Sequence, residues 1–363
     1  MRTTDHLHGE PADQTSPRRT RRKISLRTGL RIGAAAAATG ALATTAALTL
    51  LTPANASTQA AQATQIPNGS GRYHFTTLNN DNDLTFNQLL GINDNDHIAG
   101  YFGSGTAGHP NKGYLLRLPY GQGNYQNVNF PGSVQTQLTG LNDEGVQVGF
   151  WSTQNTANMT NNNFGFYIRN GHFREVNFPT GDNANPPVDQ LLGVNNHDVA
   201  VGFYTNGQGN NRGYEYNIIT HRFSRVLKPG APGGRAGPSL TAAAINNHGD
   251  VAGFYTNSHG VTVAFLKYGY GRFLTLAVPG ASMTQAFGVN DSDEVVGAYT
   301  VGTGNSAVMH GFTWRPGHGF TRVDDPHGVG TTTINGINDR GDLVGFYTDS
   351  AGNTDGMLAV PGH

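Results

Sequence analysis

"GINDRGDLVGFYT", residues 336–348, reads as two apolar strands closed on a polar turn. Asn338 can bond its own backbone two residues on. Gly341 suits the left-handed position of a type I turn with a following bulge. The stretch decides the fold because the chain repeats it. Copies begin at Gly91, Gly140, Gly193, Ala244, Gly288 and Gly336, spaced by 49, 53, 51, 44 and 48 residues. Each carries Asn at its third position (Asn93, Asn142, Asn195, Asn246, Asn290, Asn338), then Asp or Asn, and two residues later Gly or Asp. Each also carries Gly at its tenth position (Gly100, Gly149, Gly202, Gly253, Gly297, Gly345), where a missing side chain implies close approach by another group.

Two further strands follow every hairpin. The third has a small-then-bulky pair: Gly113-Tyr114, Gly165-Phe166, Gly213-Tyr214, Ala264-Phe265, Gly311-Phe312 and Gly356-Met357. The fourth reads aromatic-x-x-aliphatic and ends near a proline, as in Phe173, Val176 and Pro179; proline cannot donate to a ladder. A four-stranded unit repeated at this period is a β-propeller blade. The fold class expected is all-β: a six-bladed β-propeller over residues 71–363. The sixth unit stops after its third strand, and "FTTL" (75–78) fits the missing fourth. The N-terminal strand should therefore close the last blade and remove an exposed edge.

Residues 1–31 hold eight Lys/Arg and three Asp/Glu; an Ala-rich apolar run and Ala54-Asn55-Ala56 follow. This is the pattern of a secretory signal peptide over 1–56. "TRRKISL" (20–26) is similar to a twin-arginine signal. Residues 57–70 read as a flexible linker. Beyond residue 56, 15 basic and 21 acidic residues remain, so no basic field exists to attract nucleic acid or anionic membrane. The absence of cysteine excludes disulfides, a thiol nucleophile and Cys-based zinc sites. The C-terminal "AVPGH" lacks an apolar tail, so the expectation is a secreted, extracellular monomer without a membrane span after cleavage.

Residues 336–345, the triplet His310-Gly311-Phe312 and "VPGA" at 278–281 together resemble the bacterial extracellular HAF repeats. The resemblance covers about 70–363. It implies an exported repeat protein of β-propeller type and transfers no catalytic residues. The triplet histidine stands only at His310; Lys112, Phe164, Arg212, Val263 and Asp355 replace it elsewhere.

Chemistry is harder to find. "GSGTAG" (103–108) matches a dinucleotide fingerprint, but a proline and another strand follow where a helix is required. "DND" (94–96) begins like a calcium loop without the later Gly and Glu. Gly alternates with Asp at that turn position, which tracks what a turn tolerates. The six asparagines could form a ring of amides around an ion or water; a recurrence in every blade favours turn capping. His97, His197 and His248 sit in these turns, but no metal and no cofactor is expected. There is no H-E-x-x-H and no G-x-S-x-G.

The acids to consider are Asp182, Asp324 and Asp325, in loops on the face opposite the Asn hairpins. Those loops vary most between copies, and variable loops on a rigid scaffold are where such folds acquire sites. The inner-strand column Gln88, Gln137, Gln190, Thr241, Gln285 and Thr333 carries no charge, which weighs against catalysis. The expected function is a non-catalytic binding or scaffold module for a glycan, polymer or protein. The alternatives are an extracellular propeller lyase or glycoside hydrolase, and a calcium-stabilised structural protein.

Overall fold

The computed structural model describes residues 66–155, 161–229 and 239–362. The expected signal peptide, linker residues 57–65 and parts of two variable loops (156–160 and 230–238) lie outside the described residues.

The described chain forms six antiparallel sheets of four strands, a six-bladed β-propeller as expected. Blade 1 holds β2 (Asn87–Ile92), β3 (Ile98–Phe102), β4 (Lys112–Leu116) and β5 (Tyr125–Asn127). Blade 2 holds β6 (Gln135–Leu141), β7 (Gln147–Ser152), β8 (Phe164–Arg169) and β9 (His172–Val176). Blade 3 holds β10 (Asp189–Val194), β11 (Val199–Thr205), β12 (Asn211–Asn217) and β13 (Arg222–Arg225). Blade 4 holds β14 (Leu240–Ile245), β15 (Val251–Thr256), β16 (Thr262–Lys267) and β17 (Phe273–Leu276). Blade 5 holds β18 (Met283–Val289), β19 (Val295–Val301), β20 (Val308–Arg315) and β21 (Gly319–Arg322). Blade 6 joins β22 (Thr332–Ile337), β23 (Leu343–Thr348) and β24 (Thr354–Pro361) to β1 (Tyr73–Thr77) from the other end of the chain. The closing pair aligns Tyr73 with Pro361 and Thr77 with Met357.

Residues just before the expected boundary at 71 pair with blade 5. The Gly69 N–H donates to the Arg322 carbonyl, and the Arg322 N–H donates to that of Pro67. Residues 67–69 therefore run along the outer edge of blade 5.

The core follows the repeat columns. The bulky residue of every third strand (Tyr114, Phe166, Tyr214, Phe265, Phe312, Met357) is wholly buried. So is the inner-strand column Leu89, Leu138, Leu191, Ala242, Ala286 and Ile334. Burying each large side chain contributes about 1.5–3 kcal/mol, so blade-to-blade packing carries most of the stability.

Every inner strand also has a bulge that sequence reading missed. The register slips by one residue between Leu89 and Gly91, and at the equivalent place in each blade. The carbonyl before the bulge then points into the second-strand glycine. A Cβ on Gly345 would lie 1.9 Å from the Thr333 oxygen, which explains that column. Inner strands meet backbone to backbone: a Cβ on Gly336 would fall 3.0 Å from the Cα of Gly91, where the last blade meets the first.

Candidate functional site

The Asn hairpins join first to second strands, so they gather at one end of the propeller axis. In each hairpin the residue three after Asn has positive φ: Asp96, Gly145, Asp198, Gly249, Asp293 and Gly341. The motif Asn caps its own turn. The Asn195 Oδ1 accepts the N–H groups of His197 at 3.1 Å and Val199 at 3.0 Å. The amide nitrogen does a second job. Asn93 Nδ2 donates to the Asn142 carbonyl, Asn142 to Asn195, Asn195 to Asn246, Asn246 to Asn290, Asn290 to Asn338, and Asn338 back to Asn93, at 2.9–3.4 Å. The ring of amides thus exists, and its partners are the carbonyls of the next blade.

A second closed ring lies beside it. The Asp94 N–H donates to Asp143 Oδ1, and the series continues through Asn196, Asn247, Asp291 and Asp339 to Asp94 again, at 2.8–2.9 Å. The two rings explain two columns of the repeat. The first position needs an acceptor and a donor in one side chain, which only the amide of Asn supplies at that length. The second needs only an acceptor, so Asp and Asn interchange.

The loop-face candidates are dispersed. Asp182 follows blade 2 and Asp324 and Asp325 follow blade 5, on opposite sides of a six-fold ring, so they form no carboxylate pair. Asp182 is exposed, and its Oδ1 accepts the Gly207 N–H at 3.1 Å, bracing the adjacent loop. Asp324 is half-buried between His310 Nδ1, 2.8 Å from Oδ2, and the Gly311 N–H, 3.1 Å from Oδ1. Its own backbone N–H donates to Ser70 Oγ at 2.9 Å, which helps fasten the N-terminal segment to blade 5. Asp325 is buried rather than solvated, and its Oδ1 accepts the His327 N–H at 2.8 Å.

The uncharged inner-strand column joins neighbouring blades: Gln137 Nε2 donates to Asn111 Oδ1 at 2.9 Å and Gln190 Nε2 to Asn163 Oδ1 at 2.6 Å. One residue ahead, the inner strand accepts an N–H from the loop entering it. Thr136 takes Phe130, Thr284 takes Val278 and Thr332 takes Asp325. In blade 3 that acceptor is Asp189, whose Oδ2 takes the Phe178 N–H at 2.7 Å while Tyr214 donates to Oδ1. Burial pushes the Asp189 carboxyl up to about 7. Sequence reading missed this buried acid.

The hairpin face carries ion pairs of its own. A cleft of about 440 Å³ opens at the seam of blades 5 and 6, lined by Asp293, Glu294, Arg315, His318, Asp339 and Arg340 among others. Arg315 pairs with the buried Glu294. Burial, and after it the nearby Asp94 and Asp291, raise the Asp339 carboxyl. At the seam of blades 6 and 1, Arg340 bridges Asp342, at 3.0 Å, and Asp96. At the seam of blades 2 and 3, Arg169 reaches Asp198 at 3.3 Å. At the seam of blades 4 and 5, the equivalent Asp293 faces His248 and the buried Asp250, with one donor atom from each within 4.8 Å of the others. Of the three turn histidines, only His248 enters such a group among the described residues. Burial, with Asp250 beside it, raises the Asp293 carboxyl. No motif search reveals this group, because Asp250 and Asp293 belong to consecutive copies.

No family model and no curated protein sequence matches the chain. Among solved structures it is similar to AofleA from Arthrobotrys oligospora, at 12% identity and a TM-score of 0.47, covering 79% of this chain and 85% of that one. It is also similar to an ulvan lyase, a polysaccharide lyase, at 13% identity and a TM-score of 0.40, covering 75% and 77%. A third is the Aleuria aurantia lectin, at 9% identity and a TM-score of 0.40, covering 68% and 79%. The six-bladed architecture rests on the strand order above, not on these likenesses. Among the described residues, no helix is long and apolar enough to cross a membrane.

Proposed function

We propose that the chain is a secreted, non-catalytic propeller that presents its loop face to an extracellular polymer, a glycan or protein. One observation carries the reading. On blades 1–3 amide side chains tie loop backbone together, while Asp182 is spent on the Gly207 N–H and Asp83 on Thr85 and His109. Asn155 Nδ2 donates to the Thr106 carbonyl at 3.0 Å and Gln135 Nε2 to the Gln154 carbonyl at 2.7 Å. Thr180 and Asn183 line the loop that Asp182 ties to Gly207. A rim of this kind offers neutral hydrogen-bonding groups at fixed spacing, which suits hydroxyl-rich polymers. Export accords with the leader-like pattern of 1–56 and with the HAF-type hairpins.

The test is a binding screen of the full chain against a panel of glycans and polysaccharides, with release of unsaturated or reducing ends followed in parallel. Saturable binding without product formation is expected. Turnover that disappears in Asp182→Asn or Asp324→Asn would replace the binding reading with the enzymatic one.

A further inference from the structure

Three seams of the hairpin face are built alike. At each, an aspartate in the left-handed turn position of one blade (Asp96, Asp198 or Asp293) faces the preceding blade. Two of the three aspartates meet a guanidinium: Arg340 at Asp96 and Arg169 at Asp198. The seams of blades 6–1 and 4–5 match further. Both place a second carboxylate, Asp342 or Asp250, at the same turn position of the preceding blade, two residues after Arg340 or His248. Where Arg340 stands between two carboxylates, blade 4 has His248. Two facing carboxylates cannot both hold their charge at close range unless a proton or a cation lies between them.

We propose that His248, Asp250 and Asp293 bind a divalent metal ion of the zinc class, which fastens blade 4 to blade 5 as Arg340 fastens blade 6 to blade 1. The three donors come from two blades and lie within 4.8 Å of one another. The buried Asp250 is aimed by its surroundings: Asn246 Nδ2 donates to one oxygen at 3.1 Å and the Gly269 N–H to the other at 2.8 Å. Each oxygen keeps a lone pair for a metal. The His248 N–H is held by Asn246 Oδ1 at 3.0 Å, which fixes the backbone that carries the imidazole. One imidazole and two carboxylates, leaving room for solvent, suit zinc and its neighbours. Calcium asks for six to eight oxygens, and this group supplies two carboxylates and a nitrogen.

The experiment uses the full chain freed of metal by chelation. Calorimetric titration with Zn²⁺ and a parallel thermal melt should show a saturable site and a rise in Tm. His248→Ala and Asp293→Asn should each weaken that site by about tenfold or more, the usual effect of losing a ligand or its support. The exposed His248 can be replaced without loss of the fold. His248→Arg supplies the missing guanidinium, so it should raise the metal-free Tm above that of the parent and abolish the response to zinc. Zinc binding that survives both ligand replacements, or no zinc binding by the parent chain, overturns the site. A response to Ca²⁺ in place of Zn²⁺ overturns the metal class. A His248→Arg chain that melts no higher than the metal-free parent removes the equivalence with Arg340.

Discussion

The double role of the motif asparagine can be separated by one atom. Asn195 is buried, accepts two N–H groups within its own turn and donates one hydrogen bond to blade 4. Asn195→Asp keeps the acceptor and the shape, deletes the donor, and sets a carboxylate oxygen against the Asn246 carbonyl, 3.0 Å away in the parent. Asn195→Ala deletes all three bonds. At about 1 kcal/mol net per bond, and up to about 3 for each buried group left unpaired, Ala should cost about 3–5 kcal/mol and Asp about 1–3. The reverse exchange in the second ring is the control. Asp94 needs only to accept the Asp339 N–H, so Asp94→Asn should stay within about 0.5 kcal/mol of the parent. Urea unfolding at constant m-value reads all three. An Asn195→Asp chain as stable as the parent would show that the inter-blade ring contributes nothing and that turn capping alone accounts for the column.

Two further outcomes follow from the same geometry. Gly345→Ala should cost more than about 3 kcal/mol in urea, because a Cβ would sit 1.9 Å from the Thr333 oxygen and backbone cannot give way cheaply; Gly123→Ala, where a Cβ meets nothing within 4 Å, should be close to neutral. Asp189 sets a pH dependence. Its carboxyl stands at about 7 in the fold against about 3.9 in an unfolded chain, so its stabilising contribution is complete below about pH 4 and is lost as pH rises through 7. That shift is worth on the order of 4 kcal/mol across the window. Asp189→Asn should leave stability at or below about pH 4 little changed and make the chain more stable than the parent at pH 8. Equal pH slopes for the two chains would refute the assignment.

The fold was legible because it is written six times. Period, strand number and the split last blade all reside in local patterns: an Asn turn, a small-bulky pair, a terminating proline. β1 could be placed because Phe75 and Leu78 repeat a column whose copy is missing at the other end. The inner-strand bulge was not legible. A bulge leaves no residue type of its own, and its trace, the glycine at 345 and its equivalents, shows only that something comes close. Asp189 was hidden for another reason. Its column does the work of a threonine in three other blades, and an acid there reads as noise until the Phe178 N–H is seen facing it.

The hairpin asparagines looked like a site because they recur, and recurrence was correctly a reason for doubt: every copy has the same structural work, now two hydrogen-bonded rings. The variable loop face is not the one place where the copies differ. Symmetry of the first two turn positions leaves the third and fifth free and the fourth a choice between Gly and Asp, so equivalent seams can differ. His248, Asp250 and Asp293 differ from Arg340, Asp342 and Asp96 by one residue type at one position. That difference puts an imidazole where the equivalent seam has a guanidinium. In a repeat protein the informative comparison is between equivalent seams of the same chain. The sequence holds that comparison only after the copies are aligned and each is set against its neighbour rather than read by itself.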